Sequence, residues 1–123
     1  MPSAWFDRLM LFLAGLLGAG GVAAAAASAH QGGAFLDPLA LIALTQAPAL
    51  LAFGLSQVRV AGLRAGALVV AAGAAIFTAD LGVRHFGGAS LFPYAAPLGG
   101  TAMIAGWVIV ALAGLLRPRA PGG

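Results

Sequence analysis

The sequence predicts an all-α fold: a four-helix bundle integral to a membrane, with both termini on the cytoplasmic side. Three observations carry this expectation. Four apolar stretches of about 20 residues run Leu9–Ala29, Pro38–Val58, Ala65–Val83 and Pro97–Leu116. The hydrocarbon core of a bilayer, roughly 30 Å thick, is crossed by about 20 helical residues. Charged residues make up only 7% of the chain, whereas a soluble domain carries about 25%, so six Arg and three Asp cannot clothe a water-facing surface. The arginines are also unevenly placed. With four spans, the termini and the middle loop share one side, which holds Arg8, Arg59, Arg64, Arg117 and Arg119, while the other holds only Arg84. This is a positive-inside pattern.

The four spans take up nearly all of residues 1–123, which read as one membrane domain. Span 1 is thin in its second half, where Gly18, Gly20 and Gly21 precede a run of alanines from Ala23 to Ala27. Small residues let helices in a membrane approach closely. Asp7-Arg8, an apolar run and Ala27-Ser28-Ala29 before His30 have the outline of a cleavable signal peptide. The run is 21 residues long, against the usual 7–15 of a signal core, so a retained span is expected. Asp37-Pro38 opens span 2, with the carboxylate as a cap and proline in the first turn. Within that span, Pro48 cannot donate to the carbonyl of Leu44. A kink is expected there, with Thr45 as a local partner for the freed carbonyl.

Span 3 opens on Gly62-Leu63-Arg64-Ala65-Gly66, a spacing that permits close helix contact. It closes on Asp80, Arg84 and His85. Phe86, Phe92 and Tyr94 of the following loop suit an interfacial belt, and Trp5 suits the opposite interface. Span 4 begins at Pro97 and ends before Arg117, and the tail beyond is expected to be disordered.

Few residues offer chemistry. Asp80 lies four residues before Arg84, the spacing of an ion pair along one helix face. It reads as a pair at headgroup level, or as an intramembrane carboxylate that binds a proton or cation. Gln46 lies nine residues beyond Asp37, about 13 Å along the helix. It reads as an interhelical hydrogen bond, or as a ligand or lipid contact beside Pro48. His30 and His85 end spans 1 and 3 on the same side. They read as helix-end residues bonded to backbone, or as axial ligands of a haem. Trp107 reads as packing. The chain has no cysteine, no phosphate loop, no HExxH and no basic stripe interleaved with aromatics. No enzyme activity, cofactor, metal or nucleic-acid partner is therefore expected.

Three segments carry a resemblance to a known family. These are Leu16-Leu17-Gly18-Ala19-Gly20-Gly21 through Ser28-Ala29-His30, then Gln46-Ala47-Pro48-Ala49-Leu50-Leu51, and Ala96-Pro97-Leu98-Gly99-Gly100 with Ile104-Ala105-Gly106-Trp107. They resemble the YgdD-like family of small four-helix membrane proteins, a domain of unknown function with mitochondrial relatives in animals. Phe77-Thr78-Ala79-Asp80-Leu81 is similar to the family's Phe-Ser-Gly-Ser-Leu. Gln46 stands where members tend to have His, and Asp80 where they tend to have Ser. The resemblance implies a bacterial inner-membrane location and assigns no chemistry. The signature residues Pro97, Gly99, Gly100, Gly106 and Trp107 read as helix packing. Two functions follow as expectations: an accessory or scaffold subunit meeting lipids, other membrane subunits or copies of itself, and a small transporter or channel with Asp80 and Gln46 lining the path.

Overall fold

A computed structural model describes residues 4–58 and 60–116. Arg59, Arg117, Arg119 and the C-terminal tail lie outside the described residues. The described chain is all-α: α1 Ala4–Gln31, α2 Leu36–Leu55, α3 Leu63–Gly87 and α4 Ala95–Ala113. Each helix is long and apolar enough to cross a membrane.

The helix ends differ from the apolar stretches for local reasons. Among the described residues α1 is helical well before Leu9, and Phe6 joins the buried core with Met10, Ala14 and Leu50. Asp37 sits in the first turn of α2 and is not its cap. Its carboxylate accepts from the hydroxyl of Ser28 on α1, while its charge still favours the helix N-terminus. α2 stops at Leu55, short of Val58, because Ser56 turns extended and its Oγ accepts the N–H of Val58 at 3.1 Å. Gly62 and Gly88 bracket α3 at φ +86° and +77°, a left-handed conformation that glycine adopts without a Cβ penalty. Past Ala113, Leu115 and Leu116 donate three residues back, to Leu112 and Ala113. This tight turning ends α4 before the apolar run does.

α2 stays helical through Pro48. Thr45 does not reach the carbonyl of Leu44. Its hydroxyl donates to Leu41 O at 2.7 Å and to Ile42 O at 3.2 Å, because a helical threonine points back toward the preceding turn.

Two antiparallel hairpins, α1/α2 and α3/α4, are joined along α2 and α3. The α3/α4 seam is built on facing glycines. A Cβ on Gly73 would lie 2.6 Å from Gly99 O, and one on Gly99 2.7 Å from Phe77 N. Seven residues along each helix the contact repeats, where a Cβ on Gly106 would lie 2.7 Å from Val70 N and 2.9 Å from Gly66 O. Gly62 and Gly66 therefore do different work, the first starting the helix and the second meeting α4. Gly100 is not part of the seam, since its Cβ would meet only a ring carbon of Phe77 at 4.0 Å.

Candidate functional site

Besides the Ser28–Asp37 pair, the interacting polar side chains of the helices include three small clusters. At the end of α3, Asp80 is fully buried. Its Oδ2 accepts from Arg84 Nε at 2.9 Å, the pair that the four-residue spacing predicts. Its Oδ1 accepts the backbone N–H of Leu91 at 2.8 Å. The carboxylate is enclosed by protein. The turn at Gly88 brings the chain back across the end of α3, and the seam register sets Leu91 over Asp80. Leu91 takes part only through its backbone, so no side-chain pattern pointed to it.

The second cluster joins α2 to α4. Trp107 Nε1 donates to Gln46 Oε1 at 2.9 Å, and Gln46 Nε2 donates to Thr45 Oγ1 at 3.3 Å. The indole also packs on Phe53, with ring centroids 5.7 Å apart. Gln46 thus makes an interhelical bond. Trp107 adds more than bulk beside Gly106, because it is the donor in that bond. The indole is the natural candidate, since its N–H is a donor that seeks an acceptor away from water.

The third cluster ties α1 to α3. His85 Nε2 lies 3.0 Å from Gln31 Oε1. His30 is exposed and, among the described residues, makes no side-chain hydrogen bond. The two histidines do not share a site: one is held by Gln31 and the other faces outward. No group of three or more His, Cys, Asp or Glu able to hold a metal occurs among the described residues. Pro97, in the first turn of α4, accepts through its carbonyl from Thr101 Oγ1 at 2.8 Å.

The chemistry of these clusters is mutual satisfaction. Among the described residues, no buried side-chain nitrogen or oxygen lacks a partner. Of the helix hydroxyls outside them, Thr78 and Thr101 bond carbonyls of their own helices and Ser28 donates to Asp37. Fold and side chains define the class: an all-α protein of four helices, each long and apolar enough to cross a membrane, whose interior polar groups are closed on one another. No protein-family model, curated protein or solved structure matches the chain.

Proposed function

We propose that this is a non-enzymatic integral membrane protein, an accessory or scaffold subunit of a larger membrane complex. One observation carries the reading. Asp80, Arg84, Gln46 and Trp107, the side chains best suited to chemistry or transport, are engaged with each other or with backbone. A carboxylate that binds and releases a cation needs an open coordination position, and both oxygens of Asp80 are taken. The transporter reading, with Asp80 and Gln46 lining a path, is weaker for that reason.

The proposed location is a bacterial inner membrane with both termini in the cytoplasm. Arg8 and Arg64 at the termini end, against Arg84 at the other, support that orientation. The YgdD-like resemblance belongs to the same proposal. Extraction from the native membrane in mild detergent, followed by native-gel separation and identification of comigrating chains, tests it. Stable comigration with a larger complex is expected. Migration as a lone monomer or small homo-oligomer would sink the accessory reading.

A further inference from the structure

α2 carries one open acceptor and one open donor near its middle. The acceptor is the carbonyl of Leu44. Pro48, four residues on, has no N–H to give it. The neighbouring side-chain donors go elsewhere, Thr45 to Leu41 O and Ile42 O, and Gln46 to Thr45. The donor is a proton of Gln46. Its amide nitrogen has two, and Thr45 Oγ1 accepts one of them at 3.3 Å. Among the described residues the other has no acceptor. Gln46 stands near the middle of Leu36–Leu55, about 14 Å from either helix end at 1.5 Å per residue. Across a membrane that depth is hydrocarbon, where lipid chains offer neither donor nor acceptor, and an open polar group is costly.

Both groups belong to one face. Leu41, Thr45, Pro48 and Ala52 are exposed, and their alternating spacing of four and three keeps them on one side of the helix. Ala43, Ala47 and Leu50 are buried on the other side. At about 100° per residue, the Leu44 carbonyl, which points toward Pro48, falls on one flank of the exposed face. Gln46 rises from beyond the other flank, and its amide folds back to Thr45. The acceptor and the donor therefore flank one face from opposite sides, at nearly the same depth.

Such a face is complementary to itself. Copies of one chain share one orientation in the membrane, so a pair is related by a two-fold axis along the membrane normal. That axis sets each flank of α2 against the opposite flank of the second α2. The free Gln46 proton of each copy then meets the Leu44 carbonyl of the other. A helix of unrelated sequence would have to bring a donor and an acceptor at this depth and on these flanks. A second copy brings both by symmetry.

We propose that the exposed face of α2 is a two-fold interface with a second copy of this chain, in which each Gln46 amide donates to the other copy's Leu44 carbonyl. This rests on the membrane location proposed above and not on the accessory role, since a larger complex can hold two copies. Retention of the chain in the membrane pellet after alkaline carbonate washing tests the location separately.

The direct test uses the purified full chain alone in phosphatidylcholine vesicles. Donor or acceptor dye is attached through Ala61→Cys, at an exposed position in the α2–α3 connection. Energy transfer should fall as the chain is diluted in lipid and follow a monomer–dimer equilibrium. Gln46→Leu removes the donor, and Pro48→Ala returns an N–H to the Leu44 carbonyl. Each should weaken the dimer by about eightfold, the effect of losing two hydrogen bonds between membrane helices. Pro48→Ala should also raise the melting temperature in detergent, because proline is unfavourable inside a helix, so its weaker dimer is not a sign of misfolding. The absence of cysteine lets single thiols map the contact. Leu41→Cys and Ala52→Cys should form disulfide-linked dimers under oxidation in vesicles. Ile104→Cys on α4, where Ile104 is 68% exposed against 63% for Leu41, should not. Energy transfer absent at every dilution would overturn the proposal, as would a parent-like dimer in either variant. Disulfides formed through Ile104→Cys in place of the α2 positions would overturn it too.

Discussion

The carboxylate of Asp80 holds the backbone N–H of Leu91 at 2.8 Å, so one buried side chain of α3 fixes the loop that leads into α4. The same carboxylate holds Arg84 on its own helix. Removing it strands two groups at once. Asp80→Ala should destabilise the fold by about 2–3 kcal/mol, the penalty of unpaired groups in a buried setting. Asp80→Asn keeps an acceptor for Leu91 and should cost less. Thermal unfolding in detergent by circular dichroism, with amide exchange at Leu91, reads both effects. A change under about 0.5 kcal/mol for Asp80→Ala, the range of ordinary surface substitutions, would remove the anchoring role.

Trp107 and Gln46 are coupled across the α2/α4 gap. Trp107→Phe should keep packing on Phe53 and lose the donor. A double-mutant cycle with Gln46→Leu should give a coupling of about 0.6–1.7 kcal/mol, the range found for hydrogen bonds between membrane helices. Strict additivity of the two single variants would show that the bond contributes nothing.

The glycines of α4 should separate by position. Gly99→Ala places a methyl 2.7 Å from the backbone nitrogen of Phe77. The helices must part, at a cost of about 1–3 kcal/mol. Gly100→Ala meets only a ring carbon at 4.0 Å, and should stabilise by up to about 1 kcal/mol through helix propensity. Melting temperatures in one detergent compare them directly. Equal losses at both positions would refute the seam.

Topology has its own test, because the chain contains no cysteine. Ala61→Cys, in the α2–α3 connection, and Ala89→Cys, in the α3–α4 loop, place single thiols at opposite ends of the bundle. An impermeant maleimide on intact cells should label Ala89→Cys alone. The reverse pattern would invert the proposed orientation.

The helices were readable because their cause is local. A run of about 20 apolar residues between polar or glycine-rich joints specifies a long helix whatever it packs against. The pairing of Asp80 with Arg84 was readable for the same reason, since four residues along one helix already set the distance. The stops after Leu55 and Ala113 were less so, since the expected spans ran on to Val58 and Leu116. Ser56 ends one by its own side-chain turn, and tight backbone turning ends the other.

The remaining contacts were decided by tertiary structure alone. Helices that are apolar on every side carry no amphipathic stripe to mark an inner face. Nothing local says that Gly73 faces Gly99 while Gly100 faces away, or that Trp107 finds Gln46 sixty-one residues back. That register is the one in which facing glycines let two backbones close, and closing them carries Leu91 onto Asp80. The sequence by itself determined four long helices, their order and the ion pair within α3. The seam and the anchored loop exist only once those helices have packed, because each depends on atoms that the chain brings together from different elements.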